Sequence, residues 1–438
     1  MSENRRVLVI ANLYHATPRI PGICKYLPEF GWDPVIISPE TESKESTHVA
    51  LQRELLPSLE IQAVGEGATY ESTKAEFGLS GAVAFLNHLV SRIDPRPDSR
   101  IQKIADSAYW RFYSFLTYPD PNMGWRDIGY AAASTTVGRM HFDAILSSSS
   151  PIVAHLIAKQ VNEETRIPWI AELRDLWSGN YAAQAGPLLR QCTKRLETKT
   201  LKKAVIIVTV SPELEKPLRI LHPQATITHI TNGFDPEEVP EVRSPPSKFT
   251  ITYTGQVYEG KQDPNAFFEA LSDLIGNGQI DKSKVEVRFF GPYSRVVSTA
   301  AMQYGLEEVV QQRPPVPRRE SLQMQWDSQC LLLLNWNDKT QPGVVPLKVY
   351  EYIHTGNRII ATGGYPGDAV SRILDTTKCG VVAYDRDQAK EAIMTAYSAY
   401  RDGRSSANCV SSEVDRFSYR ALAREYAGLL DEASKWSH

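Results

Sequence analysis

A chain of 438 residues is longer than one core ordinarily serves, so two or three domains are expected. Hydrophobic residues at 42% and charged residues at 23% exclude a collagenous, coiled-coil or largely disordered protein. With 48 basic against 51 acidic side chains, the net charge of −3 supplies no general field for nucleic acid or an anionic membrane.

The run Val7 to Ala11 has the length and β-branching of a buried strand. Ile20, Ile23, Leu27 and Phe30 follow at helical spacing, and Gly31 ends the helix as a glycine just past a C-terminus does. Val35 to Ile37 is a second strand, so the first unit is βαβ and its sheet is expected to be parallel. Residues 40–120 fit the alternation poorly and are expected to form an insertion. The pattern then resumes, with strands at Asp143 to Leu146 and Trp169 to Ala171 around a helix from Ile152 to Val161. Val205 to Thr209 is another strand, Ser211 and Pro212 open a helix, and Ile227 to Ile230 precede the turn signal Asn232-Gly233.

Residues 235–248 are rich in proline and charge, the composition of a linker. Strands are expected next at Thr250 to Thr254, Val285 to Phe290, Cys330 to Leu334, Arg358 to Ala361 and Gly380 to Ala383. Helices are expected at Asn265 to Leu274 and Leu347 to His354, with one long helix from Val414 to Trp436. The fold class is therefore α/β, as two Rossmann-like domains facing a cleft. The expected boundaries are 1–234, a linker at 235–248, a second domain at 249–410, and a tail at 411–438 whose helix crosses back to the first domain.

The cysteines, Cys24, Cys192, Cys330, Cys379 and Cys409, are odd in number and form no C-x-x-C. Neither a disulfide framework nor a zinc site is expected, which suits a reducing cytoplasm. No stretch has the apolar length of a membrane span, so membrane association is expected to be peripheral, at the inner face.

Candidate chemistry should follow the strands, because doubly wound sheets bind ligands at their C-terminal ends. Gly255, Gln256, Gly260 and Lys261 follow one strand, where glycines admit a phosphate and the lysine adds a charge. An ordinary loop with a solvated lysine is the competing reading. Gly343, Val344 and Val345 lead into the helix that carries Lys348 and Glu351. Those last two, three apart, could form a surface ion pair, or Glu351 could accept bonds from two ribose hydroxyls, and both are expected among the donor-binding residues. Arg174 and Asp175 follow Trp169 to Ala171 and could hold a sugar hydroxyl or a phosphate, or could brace their loop around Trp177. His155 lies one turn into a helix, where packing is the commoner role. Trp110, Phe112, Tyr113, Phe115 and Tyr118 cluster with Arg100, Lys103 and Arg111, either as a small core or as a face for an acceptor or lipid.

These segments together resemble the GT-B glycosyltransferases, most closely the family 4 type that uses a nucleotide sugar and retains anomeric configuration. The likeness is carried by Lys25 to Pro34, Pro119 to Trp125, Ser149 to Ala158, Ile167 to Trp177, Asn232 to Asp235, Gly343 to Glu351 and Gly363-Gly364. The segments from Pro119 to Trp177 are similar to a bacterial polysaccharide-biosynthesis branch. The resemblance implies Gly22 under the donor diphosphate, Lys261 neutralising it and Glu351 on the donor ribose. It also implies Gly291 and Val316 beside the base, and Gly343 to Val345 on the phosphate or sugar. Catalytic roles fall to Lys261, Arg174 and Asp175, and acceptor contacts to His155, Trp110 and Arg111.

Two positions depart from the pattern. Glycine stands at 343 where the first of two glutamates is usual, and glutamine stands at 256 where an arginine is usual. No D-x-D-type metal motif sits where a divalent ion would bridge the phosphates, and no cofactor is implied beyond the nucleotide-sugar donor. The implied acceptor is a glycan, a lipid-linked or a small molecule. Two alternatives stand beside this reading: a coupling enzyme related to these transferases, and a non-catalytic binding partner in a glycan assembly complex.

Overall fold

The structure, a computed structural model, describes residues 5–13, 18–40, 60–66, 100–180, 186–241, 246–339, 343–403 and 409–436. The chain divides into two compact units, Met1–Ile230 with Ala423–His438, and Thr231–Leu422.

In the first unit, β1 (Arg5–Ala11) leads through α1 (Arg19–Tyr26) and a short 3-10 turn to β2 (Trp32–Glu40) and β3 (Glu60–Glu66). Helices α2 (Arg100–Leu116) and α3 (Trp125–Arg139) precede β4 (Ala144–Ser149), α4 (Val153–Thr165) and β5 (Trp169–Leu173). The series closes with α5 (Pro187–Leu201), β6 (Ile206–Thr209), α6 (Pro212–Leu221) and β7 (Thr226–His229). The seven strands pair in parallel in the order β3-β2-β1-β4-β5-β6-β7. Val7 to Ile10 are fully buried, as a run covered by helices on both faces must be. Gly31 closes the 3-10 turn in the left-handed region, with φ of 80°.

The second unit runs β8 (Phe249–Thr254), α7 (Asn265–Gly276), β9 (Val285–Phe290), α8 (Arg295–Gln303), β10 (Val310–Arg313), α9 (Arg318–Trp326) and β11 (Cys330–Leu334). It continues with α10 (Lys348–Thr355), β12 (Arg358–Thr362), α11 (Ala369–Thr377), β13 (Gly380–Ala383), α12 (Arg386–Arg401) and α13 (Ser411–Asp415). Its six strands, again parallel, take the order β10-β9-β8-β11-β12-β13. Two Rossmann-like α/β units are thus present, the architecture of the GT-B fold.

Three expectations need correction. The tail is not one helix: α13 stops, and α14 (Tyr419–Ala433) starts afresh. Between them the backbone pairs with Phe234, which donates to Phe417 O and accepts from Tyr419 N. That pairing takes groups a continuous helix would have used. The end of the tail groups as expected: residues to Leu422 belong with the second unit and Ala423 onward with the first. The stretch 40–120 is not wholly an insertion, because β3 extends the main sheet beside β2. Finally, Cys379 and Cys409 are joined as a disulfide, leaving Cys24, Cys192 and Cys330 free. Thirty residues separate that pair, and Cys409 comes to Cys379 only because Val410 N docks on Thr377 O at the end of α11.

Candidate functional site

In the second unit the chain leaves β8 toward β9 on one side and continues from β11 to β12 on the other. The order reverses between β8 and β11, and parallel sheets place their ligand crevice at such a switch point. Gly255 to Lys261 follow β8, and Asn335 to Asp338 follow β11. The two loops are joined. Lys261 Nζ meets Asp338 Oδ2 at 2.5 Å, and Asn337 N donates to Lys261 O at 2.9 Å. Lys261 also stands 5.7 Å from the centre of the Trp336 ring. Its side chain is 36% exposed, so it can meet a ligand while held in place.

Gly255 has φ of 99°, and its N donates to Phe290 O at 2.7 Å. A Cβ on Gly291, at the end of β9, would stand 2.3 Å from Gly255 O. The two strand ends therefore approach as closely as they do only because Gly291 has no side chain. Gln256 is exposed, and its carbonyl accepts from Tyr253 Oη at 2.7 Å. Val316 is half-buried just past β10. Gly343, with φ of 87°, leads through exposed Val344 and half-buried Val345 into α10.

Lys348 and Glu351 on α10 do not pair with each other. Lys348 Nζ donates to Tyr253 Oη at 2.5 Å and sits 3.8 Å from that ring's centre. Burial lowers its ammonium to about 7, against the pull of Glu351. Glu351 instead bonds Arg318 of α9 and accepts from Gln325 Nε2 at 3.1 Å. Burial opposes its charge, but the guanidinium of Arg318 and the Gln325 bond hold its carboxyl below the ordinary range. Arg318 also reaches Glu238 at 2.8 Å. There burial prevails over Arg318 and, with the nearby carboxylates of Asp235 and Glu351, raises the carboxyl.

The first unit's candidates are spread out. Arg174 spans the end of β4, donating to Ser149 O and Ser150 O, both at 2.8 Å, and burial lowers its guanidinium. Asp175 beside it is exposed. His155 is fully buried, 6.3 and 6.2 Å from the rings of Trp169 and Trp177, with Nδ1 2.7 Å from Ser147 Oγ. Burial lowers its imidazolium to about 3, so it is a neutral packing group with nothing to offer an acceptor. Gly22 is likewise buried, inside α1 rather than in a loop, where Pro18 O accepts from its N at 2.8 Å. Trp110 is 38% exposed, and Arg111, Phe112 and Phe115 are also exposed, while Tyr113 is buried. The side chains of Arg100 and Lys103 lie outside the described residues.

One cluster had no counterpart in the sequence reading. Fully buried Arg19 donates from Nε to Glu172 Oε1 at 2.7 Å and from Nη2 to Ile230 O at 2.7 Å and Tyr426 Oη at 3.1 Å. Tyr426 also bonds Glu172, and Ser148 Oγ donates to Glu172 Oε2 at 2.5 Å. Asp338, Arg318 and Tyr253 were missed too. Asp338 follows a strand, so the rule that found Lys261 would have found it. Among the described residues, no group of three or more His, Cys, Asp or Glu is placed to hold a metal ion, and no helix is long and apolar enough to cross a membrane.

No protein-family model matches the chain, and no curated protein does. Solved structures do. Sucrose-phosphate synthase from Thermosynechococcus elongatus aligns with a TM-score of 0.58 at 13% identity, covering 98% of each chain. A glycosyltransferase from Rickettsia africae gives 0.59 at 14% identity, over 99% of this chain and 100% of that one. HepE of Anabaena, solved in complex with UDP, gives 0.57 at 10% identity, over 98% and 100%. These similarities establish the fold.

Proposed function

We propose that the protein is a glycosyltransferase that moves a sugar from a nucleoside-diphosphate sugar to an acceptor. The observation that carries this reading is the switch point of the second unit, where a half-exposed lysine, a glycine-lined strand end and the start of α10 converge. Lys261 meets the diphosphate, and the exposed backbone at Gly255 and Gln256 approaches it. Glu351 lies ready to take the ribose, provided that it shares Arg318. HepE has been solved with UDP and with UDP-glucose, which favours a uridine nucleotide as the first to test.

We further propose retention of configuration by front-face displacement. The C1–O bond to the diphosphate breaks as the acceptor oxygen attacks C1 from the same face. The departing phosphate takes the acceptor's proton, and lysine stabilises its charge without a metal ion. The acceptor is a glycan, a lipid-linked or a small molecule, reached from a cytoplasmic position with peripheral membrane contact through the exposed aromatic face of α2. A coupling enzyme or a non-catalytic partner is not favoured, since the solved neighbours include a glycosyltransferase and a sucrose-phosphate synthase.

The test is a panel of nucleotide sugars and nucleoside diphosphates in a thermal-shift assay, followed by turnover of the best binder in excess chelator. Stabilisation by one nucleotide and undiminished turnover are expected. Absence of any stabilising nucleotide overturns the donor reading. Complete, reversible loss of turnover in chelator overturns the metal-independent mechanism.

A further inference from the structure

The cations of the β8 loop are arranged unevenly. Lys261 is at the rim, but position 256 carries no charge. A second lysine approaches from below. Lys348 Nζ lies 3.4 Å, and its Cε 3.6 Å, from where a Cβ on Gly255 would stand. Gly255 itself is exposed. Only a residue without a side chain therefore separates this half-buried ammonium from whatever lies over the end of β8. The left-handed φ at 255 favours keeping glycine there.

Of the charged and titratable groups around Lys348, Glu351 pulls on it without forming an ion pair. Tyr253 of β8 accepts its hydrogen bond but carries no charge, since burial raises that phenol far above its ordinary range. Tyr352, also raised by burial, is engaged at Thr254 N, 2.9 Å away. Glu351 on the same helix is committed to Arg318 of α9. Among the described residues no carboxylate forms an ion pair with Lys348. Desolvation lowers this half-buried amine to about 7, and an anion placed beside it would favour the charged form.

We propose that Lys348 is a second diphosphate-binding cation, which reaches the donor's phosphate through the gap at Gly255 and takes up one proton from solvent as the nucleotide binds. The proposal rests on the donor-site reading above. It gives the two lysines different parts: Lys261 is paired with Asp338 before the donor arrives, and Lys348 becomes charged because the donor arrives. It also explains how the site can neutralise a diphosphate with glutamine at 256.

Titration calorimetry of UDP, GDP and ADP into the full chain at pH 8, in two buffers of different ionisation heat, counts the protons. Wild type is expected to take up roughly one proton per nucleotide bound. Lys348→Arg, charged at every accessible pH, should bind within about tenfold of wild type with no uptake. Lys348→Met should lose the uptake and about 30-fold or more in affinity, the scale of losing a buried charge partner. Lys261→Ala should bind more weakly yet keep the uptake. If Lys348→Met does not fold by circular dichroism, Lys348→Arg carries the test, since it keeps the cation. Binding by wild type without uptake, or uptake that survives in Lys348→Arg, overturns the role of Lys348 alone. If none of the three nucleotides binds wild type while another stabilises it, the same count is made with that one. If none binds at all, the donor reading and this proposal fall together.

Discussion

Arg318 holds two carboxylates at once, Glu351 and Glu238, with its own side chain 16% exposed. Removing one member of such a half-buried triad costs more than the triad contributes, because the others lose their charge partner. Arg318→Met should therefore destabilise the second unit by about 3–5 kcal/mol at pH 7 in urea unfolding. The pH dependence follows from Glu351. Its folded carboxyl lies below the ordinary range, so its stabilisation is present above the unfolded value and is lost as pH falls through the folded one. In Arg318→Met the same carboxyl is raised by burial and is protonated more readily. The gap between wild type and variant should be widest at neutral pH and should narrow toward pH 4. A gap that stays constant with pH would mean that Arg318 acts by packing alone. None of this was legible in the sequence, which suggested Lys348 as the partner of Glu351. Arg318 lies 33 positions away from Glu351, Asp338 lies 77 from Lys261 and Tyr253 lies 95 from Lys348. Residues that follow a strand could be picked out by that rule, but their partners depend on which strands become neighbours.

Among the elements, those with a dense apolar run were readable: β9, β11 and β13 begin and end where the sequence places them. The short β10, with two glutamines among its four residues, and the polar α9 carried no such signal, because their hydrophobic contribution is small. Helix α2 shows the opposite case, where the residues were noticed but their direction was open. Phe112 and Phe115 are 52% and 68% exposed, whereas Tyr113 is 6% exposed, so the helix turns part of its aromatic set away from the core. Exposed aromatics beside exposed Arg111 suit a surface that carries apolar chains and negative heads. If α2 contacts membrane, the full chain should float with vesicles containing anionic lipid, and less so as salt rises. Phe112→Ser with Phe115→Ser should abolish flotation while leaving the melting temperature within about a degree, since exposed positions move stability little. Equal flotation of the variant would remove α2 from any membrane contact.

At the scale of the whole molecule, two units with separate cores need not unfold together. The hypothesis of separate transitions can be tested because each unit offers its own handle. In the first, Tyr426 from α14 bonds both Arg19 and Glu172 with no exposure to water. Tyr426→Phe keeps the ring and removes the hydroxyl, leaving two buried charged groups each short of one bond, which costs about 1–3 kcal/mol. That lowers a melting transition by roughly 2–4 °C per kcal/mol in a unit of this size. In the second unit the handle is the nucleotide, which at a hundredfold excess over its dissociation constant adds about 2.7 kcal/mol to whatever binds it. Scanning calorimetry should then resolve two transitions that answer to different causes. One should fall in Tyr426→Phe and ignore the nucleotide. The other should rise with the nucleotide, fall in Arg318→Met and ignore Tyr426→Phe. A single transition that responds to all three changes would show the units to be one cooperative block. A nucleotide that raises only the transition sensitive to Tyr426→Phe would move the donor site to the first unit and would overturn the assignment of Lys261 and Glu351 together.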